Sequence, residues 1–169
     1  MAQTRSCRGW LNVRVLCFRR LGVSVAEAIR GGCLCGSIRY EITRRYLSAL
    51  HCYCAMCRKA HGGAFSTHVP MRADQFKLTQ GALKTYPSSS EGVREFCSNC
   101  GTHIRVHGQT KDGSIAVPLG TFDDPPSVTI SGHIFVAEKV AWHEIRDSLP
   151  QYGAWPPGVE ATHLLKQPS

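Results

Sequence analysis

The sequence predicts a single, mainly β domain made of short antiparallel strands. Three observations predict it: short runs in which apolar and polar residues alternate, turn residues between those runs, and the lack of any long helical period. With 169 residues, 43% of them hydrophobic, the chain has apolar material for one core, and a second domain would leave each half short.

Taken in chain order, Gly31 and Gly32 open a stretch in which Ile38, Tyr40 and Ile42 alternate with Ser37, Arg39 and Glu41, the period of a half-buried strand. Further strands are expected from Ala64 to Val69, Lys84 to Tyr86, Val93 to Phe96, Thr102 to Val106, Ser114 to Leu119 and Val128 to Val136. Gly81, the run from Pro87 to Ser90, Gly108, Gly113, Gly120 and the cluster from Asp123 to Pro126 separate them. Helical turns are expected only at Met56 to His61 and Arg72 to Phe76. Residues 29–157 are read as the domain, residues 1–28 as a basic extension outside the core, and residues 158–169 as a flexible tail.

The formal charge of +8 is unevenly spread. Arg5, Arg8, Arg14, Arg19, Arg20 and Arg30 stand against the single acid Glu27 in the first thirty residues, so the body of the chain is only mildly basic. Nucleic acid therefore ranks last among the expected partners. The Arg-rich, acid-poor start is compatible with a mitochondrial presequence, a disordered leader or an upstream start codon. Arg14 interrupts the apolar stretch that a secretory signal would need between Trp10 and Phe18. No window reaches the roughly 18 to 20 apolar residues of a membrane-spanning helix, so no membrane is expected as a partner. The location is read as cytoplasmic, with mitochondrial targeting as the alternative.

Nine cysteines carry the chemistry. Cys7 and Cys17 lie in the extension without a partner pattern. The other seven form tight groups: Cys33 with Cys35, then Cys52, Cys54 and Cys57, then Cys97 with Cys100. An odd number in local groups suits a disulfide framework poorly and a reduced, metal-binding interior well. In F-C-S-N-C-G-T, Cys97 and Cys100 form a C-x-x-C turn with Gly101 free to adopt an unusual backbone conformation; such a knuckle supplies half a tetrahedron. Cys33 and Cys35, in G-G-C-L-C-G, supply the other half, because alternate residues of an extended segment point the same way. The competing reading is a pair of redox-active or buried thiols.

The middle cluster, H-C-Y-C-A-M-C-R-K, offers three sulfurs and leaves a fourth corner to another ligand, as a catalytic zinc requires. Three thiolates on a divalent ion carry a net charge of −1, so neighbouring cations should help. Arg58 and Lys59 follow the third cysteine and either serve that purpose, grip a substrate carboxylate, or are solvated surface charges. A histidine could instead close the site: His51, His61, His68, His103 and His107 are the candidates, each equally readable as a packing or surface residue.

Read with their neighbours, these segments resemble the family of glutathione-dependent formaldehyde-activating enzymes, also called S-(hydroxymethyl)glutathione synthases, to which the centromere protein V relatives also belong. The matching stretches are G-G-C-L-C-G-S-I-R-Y, H-C-Y-C-A-M-C-R-K-A-H-G-G-A-F, F-C-S-N-C-G-T and H-I-F-V-A-E-K-V-A-W-H-E-I with L-P-Q-Y, from about Gly31 to Pro157. The resemblance implies an Mss4-like, complex antiparallel β fold with two zinc ions per chain. Cys33, Cys35, Cys97 and Cys100 would hold a structural ion, and Cys52, Cys54 and Cys57 a catalytic one. It further implies a carbon-sulfur lyase that acts on an adduct between formaldehyde, or a related small electrophile, and glutathione or another thiol. Tyr53 departs from the pattern, standing where many such relatives carry histidine. The alternative function is a non-catalytic zinc module that binds a protein or a thiol metabolite. A homo-oligomer is left open.

Overall fold

The computed structural model describes residues 28–43, 47–90, 92–108, 113–123 and 127–157. The expectations for the basic extension, with Cys7 and Cys17, and for the tail lie outside the described residues.

Ten strands and one short helix make up the fold. In chain order they are β1 (Ile29–Gly32), β2 (Arg39–Ile42), β3 (Leu47–Cys52), α1 (Ala55–His61), β4 (Ser66–Arg72), β5 (Phe76–Gln80), β6 (Leu83–Pro87), β7 (Gly92–Cys97), β8 (His103–Gly108), β9 (Ser114–Pro118) and β10 (Val128–Ile134). A small sheet has the order β1-β2-β5; a larger one runs β10-β3-β4-β9-β8-β7-β6. All pairings are antiparallel except β10 with β3, which is parallel. The expected mainly β, antiparallel architecture is therefore the observed one, with that single parallel pair added.

Both sheets turn their apolar faces into one core. Ile38, Tyr40 and Ile42 from the small sheet's side pack with Ala49, Val69, Met71, Ile104, Ile115 and Val117 from the large sheet, all close to fully buried. The alternation read around β2 is real: Tyr40 and Ile42 are buried while Arg39 and Glu41 are half-buried, because successive strand residues face opposite sides. The Tyr40 ring stacks on Phe76 at 4.8 Å, and its hydroxyl lies 2.7 Å from Thr121 Oγ1. Cys33 and Cys97 belong to this same core.

Three strands were not expected from the sequence. β1 contains two glycines, β5 exposes most of its side chains, and β3 ends in the His-Cys pair that reads as the start of a metal motif. The turn expected at Arg72 to Phe76 is a 3-10 turn over Ala73–Gln75, and the one at Met56 to His61 is α1. β3 and β10 then position the chemistry. Their parallel register sets His51 beside His133 and Cys52 beside Ile134, and Tyr53 N–H continues the ladder to the Ile134 carbonyl at 3.0 Å.

Candidate functional site

Cys33, Cys35, Cys97 and Cys100 converge, with their sulfurs within 4.8 Å of one another. Cys33 and Cys35 Sγ are 3.5 Å apart, and Cys35 and Cys97 Sγ 3.8 Å. Zinc–sulfur bonds of about 2.3 Å at the tetrahedral angle would place sulfurs about 3.8 Å apart, so the spacing fits one ion and not a disulfide. The donors around them also suit thiolates: Ile38 N–H points to Cys33 Sγ at 3.2 Å and the Asn99 amide to Cys35 Sγ at 3.3 Å. A hydrogen bond with Ser37, followed by one from Asn99, lowers the Cys35 thiol to about 5. Gly101 has φ +76°, the conformation the knuckle needs just after its second cysteine.

The second cluster is Cys52, Cys54 and Cys57, again with sulfurs within 4.8 Å of one another and all three buried. Cys52 ends β3. Cys54 is the N-cap of α1, its sulfur accepting from Cys57 N–H at 3.4 Å, while the Glu138 carboxylate accepts from Ala55 N–H at 2.8 Å. Two amides at the helix start are thereby satisfied, which fixes the turn that presents Cys54 and Cys57. Hydrogen bonds from Cys52 and Cys57 pull the Cys54 thiol well below its ordinary value, whereas bonding to Cys54 pushes Cys52 up. Of the three, Cys54 is thus the thiol most readily ionised. Three buried sulfurs this close together, one of them accepting a backbone N–H, form a donor set suited to a thiophilic divalent cation.

A cavity of about 280 Å³ opens on the trio. Its lining is mostly apolar, including Leu50, Met56, Val106, Ile134, Phe135 and Trp155, with His68, Arg94 and Glu138 as the charged or titratable members beside the cysteines. Phe135 is the one non-glycine residue with positive φ among those described, at φ 57° and ψ 37°. That left-handed conformation costs a bulky residue free energy, and here it sets the ring against Trp155 at 5.2 Å on the cavity wall.

The cations expected next to the sulfurs are placed elsewhere. Arg58 Nε donates to the Tyr53 carbonyl at 3.2 Å, Lys59 is exposed, and neither lines the cavity. The cation in contact is Arg94 on β7. It is buried, with Nη2 3.8 Å from Cys57 Sγ and with Nη1 lacking a hydrogen-bond partner among the described residues. Sequence reasoning missed it, since V-R-E-F looks like an ordinary alternating strand. No local signal marks it, because its burial, like that of its neighbour Glu95 against Arg105, follows from the fold.

Among the described residues, none of the five candidate histidines joins the three sulfurs. His51 Nδ1 is 2.8 Å from Thr67 Oγ1, and His107 faces Glu95 at 3.9 Å. His61, His68 and His103 form a group of their own. Tyr53 lies behind the cluster rather than in the cavity. Its hydroxyl meets His133 Nδ1 at 3.0 Å, and His133 Nε2 meets the Asp147 carboxylate at 2.9 Å. With Nε2–H donating to Asp147, Nδ1 accepts the tyrosine proton.

The sequence profile of the family described as glutathione-dependent formaldehyde-activating enzyme matches residues 28–138. A Halomonas elongata protein provisionally named a glutathione-dependent formaldehyde-activating enzyme is 28% identical over 127 residues, which span 69% of this chain and 80% of that one. A Rhodobacter sphaeroides protein of known crystal structure aligns with a TM-score of 0.48 and 20% identity over 56% of this chain and 88% of its own. With both cysteine clusters inside the matched region or on its strands, the chain belongs to the family of glutathione-dependent formaldehyde-activating enzymes.

Proposed function

We propose that the protein is a zinc-dependent enzyme of the carbon-sulfur lyase class that makes and breaks the adduct between formaldehyde, or a related small aldehyde, and a thiol such as glutathione. The observation that carries this reading is the trio Cys52, Cys54 and Cys57: three buried sulfurs, no fourth protein ligand among the described residues, and a cavity leading to them. The other cluster, with Cys33 and Cys97 in the core and Cys100 packed against it, has the closed four-cysteine donor set of a structural ion.

In the forward direction the substrate sulfur bonds to the aldehyde carbon, the carbon-oxygen π bond breaks, and the thiol proton ends on the new hydroxyl oxygen. Nothing is oxidised or reduced. Zinc held by the trio would supply the Lewis acidity that keeps a bound thiol deprotonated at neutral pH. The chain's own residues do the rest. The apolar wall of Leu50, Ile134, Phe135 and Trp155 receives the uncharged thiol arm and excludes water, which strengthens every charge interaction within. Arg94 sets a fixed positive charge against Cys57 and offers its free Nη1–H to the oxygen that becomes negative as the bond forms. Arg58 and Lys59, on α1 and outside the cavity lining, are the residues proposed to meet the carboxylates of a peptide-like thiol.

The test is the exchange rate between free and thiol-bound formaldehyde, measured by NMR in the presence of catalytic amounts of protein. Acceleration above the spontaneous rate, lost in Cys54→Ser, supports the enzyme. Thiol binding without acceleration would leave the non-catalytic module as the better reading.

A further inference from the structure

Three histidines that the cysteine chemistry does not use meet from three elements: His61 ends α1, His68 lies in β4 and His103 begins β8. We infer that His61, His68 and His103 form a third metal site, for a borderline divalent cation of the zinc type. This inference does not rest on the enzymatic reading of the cysteine trio.

One nitrogen from each ring lies within 4.8 Å of the others, and His103 Nδ1 and His61 Nε2 are 2.8 Å apart. Zinc–nitrogen bonds of about 2.0 to 2.1 Å at the tetrahedral angle place nitrogens about 3.4 Å apart, so the His61–His103 pair at 2.8 Å would part by about 0.6 Å to take an ion between them. The ring of His103 is already oriented as a ligand's is. Its Nε2–H donates to the Arg105 carbonyl at 3.0 Å, which leaves the Nδ1 lone pair to accept from His61 Nε2–H at 2.8 Å, a hydrogen bond that a metal would replace once the His61 proton moves to its other ring nitrogen. His68 is held by the Ser66 hydroxyl, 3.3 Å from Nε2.

Burial lowers all three imidazoles, His61 and His103 to about 4 and His68 to about 3, so at neutral pH each has a lone pair to give. No carboxylate belongs to the group, which disfavours calcium and magnesium, while imidazole suits zinc, cobalt and nickel. His61 and His103 also line a polar depression of about 500 Å³ with Ser66, Thr67, Thr102 and Thr121, on which a fourth coordination position can open. Arg94 is the nearby cation. Its charge makes the site weaker than either cysteine cluster and favours an anion or hydroxide as the remaining ligand.

The purified full chain, with its cysteine-bound metal in place, is equilibrated with micromolar Zn²⁺ or Co²⁺, and bound metal per chain is counted for wild type, His61→Gln and His103→Gln. One equivalent more in wild type than in each variant is expected, and the additional Co²⁺ should show ligand-field bands without sulfur charge transfer. Equal metal counts, or an additional Co²⁺ bearing sulfur charge transfer, would overturn the site. If a variant also loses its cysteine-bound metal, the spectrum of the wild-type protein decides alone.

Discussion

Arg94 on β7 points its guanidinium at Cys57 on α1, Nη2 to Sγ 3.8 Å, and keeps Nη1 without a partner among the described residues. A buried charged group left half-bonded costs stability, so its retention on the cavity wall indicates that another group completes it. Charge-assisted hydrogen bonds contribute about 1.5 to 3 kcal/mol, which corresponds to roughly 10- to 100-fold in rate when the bond forms in the transition state. Arg94→Met should therefore slow adduct exchange by about that factor. Metal content at the seven described cysteines should stay unchanged, which elemental analysis checks.

The two cysteine clusters should fail differently. Cys97 is 1% exposed and part of the main core, whereas Cys54 belongs to a small satellite with Ile134. Cys97→Ser should abolish cooperative unfolding, because structural zinc contributes folding free energy on the order of 10 kcal/mol in small zinc domains. Cys54→Ser should lose one metal ion yet keep a cooperative thermal transition. Calorimetry alongside metal analysis separates the two outcomes.

Tyr53 holds His133 in register with Asp147 from outside the cavity. Tyr53→Phe removes the donor to a buried imidazole nitrogen and should destabilise the fold by about 1 to 3 kcal/mol in urea unfolding. The exchange rate per folded molecule should hardly change. A large rate loss at full stability would mean that Tyr53 acts on substrate.

Acid should weaken the fold through the histidine group. Burial holds His61, His68 and His103 far below the 6.5 of a free imidazole, so between pH 6.5 and about 4 the unfolded chain binds more protons than the folded one. Stability is then full above pH 6.5 and is lost progressively as pH falls towards 4. A metal on these rings acts in the same direction. Thiolate protonation adds to the loss, so the discriminating result is a shallower fall of Tm with acidification in His61→Gln than in wild type.

How much of this was legible in the sequence differs from element to element. The cysteine groups were, because ligands two or three residues apart must share a locality whatever the fold, and the glycines beside them mark the turns. β2 was, because its alternation reflects one buried face, and β7 to β10 were, because turn residues bound their short apolar-rich runs even though their burial does not alternate throughout. β3 was not: in L-S-A-L-H-C the residues Leu47 and Ala49 are buried, but Leu50 breaks the alternation, and the parallel partner lies some eighty residues away. Arg94 and the grouping of the three histidines, each of which was read only as a separate candidate ligand, were invisible for the same reason. Only the register of β7, β8 and β4 brings residues 61, 68, 94 and 103 to one place, and no local pattern records that register.

The most direct test is a crystal structure of the metal-loaded protein soaked with glutathione. The expected result is the glutathione sulfur about 2.3 Å from the ion bound by Cys52, Cys54 and Cys57, with Arg94 facing it across the cavity. A protein nitrogen, such as one from His68, in that coordination position with glutathione absent from the cavity would contradict it.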